Sequence, residues 1–245
     1  MASRVEIYSP EGLRHDGRRW NELRNFKCAI NTHPVSCDGS SVVEQGNTKV
    51  LCNVVGPAEP SNRSRSNAEK VVFSVKIVVA PFSTIERRKR SQNDNRIQEM
   101  SLAIKHIFED AVMVHLYPRS EIVINLYVVA QDGGLLQACV NAASLALVDA
   151  GVPMYDYVCA CTAGIYDREV LLDLNRIEES DMPFLTMATV GNSRKTSLLQ
   201  LEMKVQFDRL EGMMAAAMSG CHHIRDLIDK AVRLHGKSRL KRTIA

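Results

Sequence analysis

The chain has 245 residues, of which 45% are hydrophobic and 24% charged, and its formal net charge is +3. This composition is typical of a globular protein with a sizeable core. No apolar run approaches the roughly 20 residues that span a bilayer. The N-terminal residues also lack the apolar segment of a secretory signal. We therefore expect neither a membrane-spanning segment nor a secretory signal. Seven cysteines without framework spacing indicate reduced thiols inside a cell.

The first 80 residues predict four strands, over residues 28–32, 40–45, 49–56 and 71–80. The sequence Gln-Gly-Asn-Thr at 45–48 lies between the second and third of these and predicts a β-hairpin. Two polar loops are expected at 61–68 and 82–95, and the second is strongly basic in its middle.

Two helices are predicted around the middle of the chain. The first covers about 96–116, where apolar residues recur at helical spacing and Pro118 follows the end. A strand at 122–130 and a Gly-Gly turn then precede the second helix, at 135–150. That helix ends at the sequence Gly-Val-Pro, a common helix exit.

The second half predicts strands at 158–166, 169–174, 184–190 and 197–203, with an acidic loop after the second of them. A last helix begins near Asp208, a plausible N-cap. Its apolar stripe faces either the core or a partner subunit and comprises Leu210, Met214, Ala217, Cys221, Ile224, Ile228 and Ala231. No linker divides the chain, so we expect one domain over 1–245, with a core at about 12–235 and a basic, flexible tail at 236–245.

The turn at Asp132-Gly133-Gly134 indicates an anion-binding scaffold. Such a turn directs backbone N–H groups at whatever lies over the N-terminus of the next helix, and this arrangement suits a phosphate. A working phosphate site would normally add a hydroxyl and an arginine. The chain has Leu135, Leu136 and Gln137 there instead, so the side chains do not complete the site.

Two charged sets leave alternatives open. The acidic set could hold a divalent metal or protonate a leaving oxygen, or it could be a polar loop after a strand; it comprises Asp167, Asp173, Glu178, Glu179 and Asp181. The basic set could bind an RNA backbone without base preference, or it could be a solvated surface; it comprises Arg63, Arg65, Arg87, Arg88, Lys89, Arg90 and Arg96.

The cysteines do not predict a metal site. Cys159 and Cys161 lie in an apolar run, and their spacing relative to Cys221 matches no known zinc pattern. Buried, unreactive thiols are the better interpretation. We therefore expect no metal and no other cofactor.

Several segments resemble the RNase PH family of phosphate-dependent 3′→5′ exoribonucleases. The resemblance covers nearly the whole chain, and its strongest markers are residues 12–19, 44–48, 131–134, 143–153 and 172–179. It implies an α/β (α+β) fold of the ribosomal protein S5 domain 2-like type, built from two related βα halves. In active members six subunits form a ring, RNA threads its channel, and inorganic phosphate attacks the terminal phosphodiester.

Within the family, the chain is similar to a eukaryotic, fungal-like exosome ring subunit that corresponds to the catalytic subunit of the archaeal ring. That similarity implies other RNase PH-like subunits in a hetero-hexameric ring, S1/KH cap subunits, associated hydrolytic nucleases and single-stranded RNA as partners. It implies no membrane partner. It further implies a nuclear, nucleolar and cytoplasmic location and a role in rRNA maturation and RNA turnover.

The family's active residues can be carried over one at a time. The phosphate-binding Thr-Arg pair falls on Leu135 and Leu136, so both functions are lost. The first catalytic aspartate is retained as Asp173, whereas the second falls on Glu179. An arginine pair that holds RNA is half kept, with Asn95 in front of the retained Arg96.

The resemblance therefore implies a degenerate enzyme that serves as a non-catalytic ring subunit. Its RNA-binding residues would be Arg63, Arg65, Arg87, Arg88 and Arg96. Two alternatives stay open. One is an active phosphorolytic exoribonuclease that uses Asp173 and Glu179, and the other is a self-sufficient homo-hexamer that trims tRNA.

Overall fold

The computed structural model describes residues 7–9, 11–60, 70–85, 87, 94–167, 169–193 and 195–244. Within these residues the fold is α/β, with two sheets and four α-helices, as the resemblance predicts. The strands are β1 (Phe26–Ile30), β2 (Gly39–Gln45), β3 (Thr48–Ala58), β4 (Val72–Val79), β5 (Glu121–Ala130), β6 (Val158–Tyr166), β7 (Glu169–Leu172), β8 (Phe184–Val190) and β9 (Thr196–Glu202). The helices are α1 (Asn95–Ala111), α2 (Leu135–Asp149), α3 (Arg176–Asp181) and α4 (Phe207–Ile244).

The first sheet has the order β1-β2-β3-β5-β4, and only the β4–β5 pair is parallel. The hairpin predicted at 45–48 is confirmed, since Gln45 pairs with Thr48 across a two-residue turn. Gly46 has a φ of 57° in that turn, a left-handed conformation that glycine adopts at little cost.

The second sheet is antiparallel, with the order β7-β6-β8-β9. Helix α2 lies between the two sheets and packs on β2, β3 and β6. Its residues from Leu136 to Leu147 are all buried and mostly apolar, and the buried polar residues Gln137, Asn141 and Ser144 hydrogen-bond to the backbone of β6. None of the described helices is both long and apolar enough to cross a bilayer.

The helix predicted at 96–116 is shorter in the structure. Helix α1 ends at Ala111 because Val112 is extended and its backbone bridges to Met154. A separate 3₁₀ turn at Val114–Leu116 follows. The predicted strand at 169–174 also ends early, because Asp173 has a φ of 55° and turns the chain away from the sheet.

The acidic loop expected after β7 contains helix α3. The side chain of Glu178 accepts a hydrogen bond from the backbone N–H of Asn175, at 2.8 Å, and so satisfies a donor that a helix start leaves unpaired. The prediction of a loop was therefore wrong. Asn175 and Glu178, three residues apart, are the sequence signal of this start.

Helix α4 differs from its prediction at its start. It begins at Phe207, so Asp208 lies in its first turn and is not the N-cap. Its apolar stripe faces this chain's own core, with Ala217, Cys221, Ile224 and Ile228 fully buried. The helix continues through residues 236–244, the segment expected to form a basic, flexible tail, because lysine, arginine and leucine favour helix and no proline interrupts them.

Candidate functional site

A cavity of about 480 Å³ opens where the starts of α1 and α2 approach the edge of each sheet. Strand β4 forms one wall, and β8 and β9 contribute the other. Leu135, Leu136 and Glu179 all line it, together with Arg96 from the first turn of α1. The structure thus brings together four of the residues that the resemblance assigned to one site.

The turn between β5 and α2 forms one end of this cavity. Gly134 has a φ of 63°, and Gly133 packs so tightly that a Cβ there would lie 2.6 Å from the carbonyl oxygen of Leu174. The hydroxyl of Thr48 accepts from the N–H of Asp132, at 3.0 Å, and donates to the carbonyl of Gly133, at 2.7 Å. Glycines and hydroxyl therefore fix the turn in one conformation.

The anion position over this turn is occupied by the protein's own carboxylate. The backbone N–H of Gly134 donates to Oε1 of Glu179 at 2.5 Å. The sequence predicts a scaffold that suits an anion but whose side chains do not complete a phosphate site, and in the structure the group at the Gly134 amide is Glu179. Helix α3, which the sequence analysis missed, is the element that places Glu179 there.

The pKa of Glu179 is raised above the ordinary glutamate value of 4.5, because burial of the carboxyl opposes ionisation. The Gly134 N–H and the charges of Arg24 and Arg96 favour the ionised form, but their combined effect is smaller. The folded protein thus binds a proton at Glu179 more readily than the unfolded chain does.

Asp173 lies behind the cavity, in a buried cluster with Arg24. Its carboxylate accepts hydrogen bonds from the backbone N–H of Arg24 at 2.8 Å, from its Nε at 3.0 Å and from its Nη2 at 2.8 Å. Burial on its own would raise the pKa of Asp173, but the charge and hydrogen bonds of Arg24 outweigh it, and the pKa falls below the ordinary 3.8. Asp173 is therefore a paired, ionised group.

Gln137 completes this cluster. Its Nε2 donates to Oδ1 of Asp173 at 2.6 Å, and its Oε1 accepts from the N–H of Thr162 at 2.6 Å. Gln137 is fully buried, so it connects α2 to the second sheet and is not available to a ligand.

A second buried arginine anchors α3. The guanidinium of Arg14 forms an ion pair with Glu178 and also donates to the carbonyl of Asp173, at 3.0 Å. Glu178 is thereby committed to structure, although the sequence analysis grouped it with residues that could hold a metal. Among the described residues, no three of the types His, Cys, Asp and Glu come together as metal ligands.

The cavity lining is acidic on balance. Four carboxylates and two cations line it. The carboxylates are those of Asp94, Glu99, Glu179 and Glu202, and the cations are Lys76 and Arg96. Arg96 lies 3.7 Å from Glu202, but both side chains are exposed, and such a pair adds little stability. An anionic ligand would meet net repulsion among these described groups.

The basic set is only partly visible. Arg63, Arg65 and Arg88 lie outside the described residues, as do Lys89 and Arg90. Arg87 is exposed, and Arg96 lines the cavity. Their proposed role in binding RNA stays a prediction.

The cysteines in the second sheet and α4 are buried and unpaired, as predicted. Burial raises the pKa of Cys221 to about 12 and that of Cys159 still further. Neither thiol is ionised near neutral pH, so neither has nucleophilic character.

The sequence analysis missed Arg24, the residue with the most contacts to the turn and to Asp173. Its Nη1 also donates to the carbonyl of Asp132 at 2.6 Å. Arg24 is 149 positions from Asp173 in the sequence, so no local pattern signals this pair.

The fold and the glycine turn are those of a 3′ exoribonuclease family domain, and the sequence departs from the family's active pattern at Leu135, Leu136 and Glu179. Domain 1 of the 3′ exoribonuclease family matches residues 22–153, and domain 2 matches residues 156–220. The chain belongs to this family, the RNase PH family.

Similar proteins extend over the whole chain. Exosome complex component SKI6 of Saccharomyces cerevisiae is 46% identical over 244 residues, which is 99% of each chain. Exosome complex component RRP41 of Homo sapiens is 40% identical over 233 residues, covering 94% of this chain and 95% of that protein.

Solved structures agree on the fold. Rice (Oryza sativa) Rrp46 superimposes with a TM-score of 0.80 at 26% identity, over 90% of this chain and 100% of that one. A chain of the Archaeoglobus fulgidus exosome, solved with RNA bound to the active site, gives a TM-score of 0.75 over 88% of this chain and 92% of that one. Its 21% identity supports the fold alone.

The raised pKa of Glu179 predicts how a neutral analogue behaves. A carboxyl with a raised folded-state pKa stabilises the fold below its unfolded pKa, and that contribution is lost as pH rises through the folded pKa. We therefore expect Glu179→Gln, which keeps an oxygen for the Gly134 N–H, to melt a few degrees above the wild type at neutral pH. The gain should vanish as pH falls below the ordinary glutamate value of 4.5.

Thermal unfolding followed by circular dichroism across this pH range provides the measurement. Glu99→Gln is the matched control, because Glu99 also lines the cavity but is exposed. It should leave the melting temperature unchanged at every pH. A Glu179→Gln protein that is less stable than the wild type at neutral pH would contradict the assignment.

Proposed function

We propose that this chain is a non-catalytic ring subunit of an RNA exosome that supports 3′→5′ RNA processing and degradation. The observation that carries the proposal is the state of the phosphate position. The Gly134 amide is bound to Glu179, and Leu136 stands where active relatives have an arginine. Similarity to exosome components over nearly the full chain supports the assembly.

Phosphorolysis needs a bound phosphate dianion, and this cavity does not favour one. Charge-assisted contacts from arginine are the strong ones for phosphate, and a leucine offers none. A dianion at the turn would have to displace Glu179 and would still lie among further carboxylates of the lining. It would lose hydration without an adequate counter-charge.

The retained aspartate does not supply the missing chemistry. Asp173 accepts hydrogen bonds from Arg24 and Gln137, and its pKa is lowered, so it holds no proton to donate to a leaving oxygen near neutral pH. Those contacts also occupy the oxygens that a metal ion would need. Asp173 acts as a structural counter-ion in this proposal.

The proposed partners are other RNase PH-like subunits in a hetero-hexameric ring, S1/KH cap subunits, associated hydrolytic nucleases and single-stranded RNA. Arg63, Arg65, Arg87, Arg88 and Arg96 would contact the RNA backbone in a salt-dependent and sequence-tolerant way. Nucleus, nucleolus and cytoplasm are the proposed locations, with rRNA maturation and RNA turnover as the processes served.

An exposed strand edge supports assembly with a neighbour. Strand β9 is at the edge of the second sheet, and Leu199 and Leu201 are both exposed on one of its faces, with Met203 just beyond. Uncovered apolar edge strands promote association. This edge replaces the α4 stripe as the candidate ring interface, because that stripe is buried in the chain's own core.

The activity assay has a defined expected result. With single-stranded RNA, magnesium and inorganic phosphate, the chain should release no nucleoside diphosphate, alone or in its ring. The triple substitution Leu135→Thr, Leu136→Arg, Glu179→Asp should gain at least trace phosphate-dependent cleavage in the ring. Single substitutions should not suffice, because the groups of a catalytic unit are not additive.

A matched triple variant with Leu136→Gln in place of Leu136→Arg is the control. It has a polar side chain but no charge, and we expect it to stay inactive. Phosphate-dependent release of nucleoside diphosphates by the wild type would refute the non-catalytic assignment. Efficient phosphorolysis by Leu136→Arg alone would show that Glu179 is a competent catalytic residue.

The assembly assay tests the β9 edge separately. Leu199→Asp with Leu201→Asp should reduce the hetero-oligomer formed with RNase PH-like partners by about tenfold, which corresponds to roughly 1.4 kcal/mol. Val35→Asp with Leu116→Asp changes two exposed residues elsewhere and should leave assembly intact. Native mass spectrometry of co-expressed proteins measures both. Equal assembly by the β9 variant and the control would exclude this edge as the interface.

A further inference from the structure

The outer face of α4 carries a regular exposed stripe that the cavity and the ring proposal do not use. We call it the Leu–Lys stripe, and its members alternate at spacings of four and three residues: His223, Leu227, Lys230, Leu234, Lys237 and Lys241. All six side chains are exposed. Spacings of four and three place them in one row along the helix.

The chain itself does not cover this row within its described residues. Cys221, Ile224 and Ile228 bury the opposite side of α4 against the core. The row therefore faces outward while the helix is held in place beneath it. Its spacing is that of the contact seam of a two-helix coiled coil, with Leu227, Leu234 and Lys241 in one seam position and His223, Lys230 and Lys237 in the other.

The lysines of the row lack ion-pair partners among the described residues, whereas two neighbouring arginines have them. Two arginines beside the row have carboxylate partners: Arg233 lies 2.7 Å from Asp229, and Arg239 lies 4.0 Å from Asp149. Lys230, Lys237 and Lys241 form no ion pair with any described residue. These three charges extend over about 16 Å of helix, at 1.5 Å per residue.

The combination of apolar and cationic groups selects the occupant. RNA backbone binding needs cations alone and gives no reason for Leu227 and Leu234 to alternate with them. A second copy of this chain would bring two rows of lysines together, and like charges repel. A helix with carboxylates opposite the lysines and apolar side chains opposite the leucines satisfies both kinds of group.

We propose that the Leu–Lys stripe docks an acidic, amphipathic helix of another protein. Apolar side chains seven residues apart on that helix would pack on Leu227 and Leu234, and its aspartates or glutamates would pair with the three lysines. The leucines supply buried area, and the lysines set the register and exclude basic partners. This surface lies outside the cavity, so the proposal does not depend on whether the cavity is catalytic.

The test uses a synthetic helical peptide of about three heptads. One seam position has glutamate, and the other has leucine opposite Leu227 and Leu234 and glutamate opposite Lys241. Its binding to the full-length protein is followed by fluorescence anisotropy at physiological salt. We expect Lys230→Glu, Lys237→Glu, Lys241→Glu in combination to weaken binding at least about tenfold. Leu234→Ser should have a similar effect. A peptide with serine in place of every leucine should also bind at least about tenfold more weakly.

Two matched controls separate the stripe from general charge and hydrophobicity. Leu240→Ser alters a residue of the same helix that is 63% exposed, against 68% for Leu234, but lies off the row. The combination Lys70→Glu, Lys195→Glu, Lys204→Glu makes the same charge change at exposed lysines elsewhere. Both controls should bind like the wild type, and circular dichroism should show the wild-type fold for every variant.

Equal binding by the stripe variants and their controls would overturn the proposal. So would a single-stranded RNA that binds more tightly than the peptide and loses this binding in the stripe lysine variant, since the row would then be a nucleic-acid surface. The Lys→Glu variants introduce carboxylates that would themselves repel the acidic peptide. Lys→Gln at the same three positions removes the positive charges without adding negative ones, and this variant should also weaken peptide binding.

Discussion

The structure of the site depends on one buried guanidinium. Arg24 precedes β1 of the first sheet, yet it bonds Asp173, which follows β7 of the second, and the carbonyl of Asp132 in the turn before α2. One side chain therefore connects both sheets and the turn. Its removal would leave Asp173 buried without a counter-charge, and breaking such a pair costs about 3–5 kcal/mol. In the proposed function, this carboxylate is a structural counter-ion and not a catalytic group.

The cavity keeps a glycine turn that would suit an anion, and we propose that it no longer has the chemistry of a phosphate site. Two glycines still give the turn its left-handed conformation. However, Glu179 now satisfies the Gly134 amide from within the chain, and Leu136 contributes an apolar surface to the lining. Because the Gly134 amide already binds the carboxylate of Glu179, the turn is satisfied without an external anion.

Hydrophobic periodicity predicted most of the framework. In β3, Val50, Cys52 and Val54 are buried at every second position, as expected for a strand with one face in the core. Helix α2 is mostly apolar because it is buried between the two sheets. Helix α3 was not predicted because its composition is that of a polar loop, and its start depends on a hydrogen bond from the backbone N–H of Asn175 to the side chain of Glu178. The continuation of α4 to Ile244 was not predicted, because the basic residues near the C-terminus indicated a tail, although lysine and arginine both favour helix.

The site could be predicted only in part. The resemblance identified Leu135, Leu136 and Glu179 as one group, and the structure places them around one cavity. It could not reveal that Glu179 binds the Gly134 amide, because that contact depends on how α3 packs against the turn. Arg24 had no local signal at all. Long-range ion pairs produce no periodic pattern in a sequence. Here the ion pair between Arg24 and Asp173 determines the hydrogen bonds and the charge of that carboxylate.

The central claim is that the phosphate position is closed by the chain's own groups. It is tested most directly by titrating inorganic phosphate into ¹⁵N-labelled protein and following the backbone amide resonance of Gly134. The wild-type resonance should not shift with phosphate, whereas the variant with Leu136→Arg and Glu179→Asp should show a saturable shift. A saturable phosphate-dependent shift of Gly134 in the wild type would contradict the account.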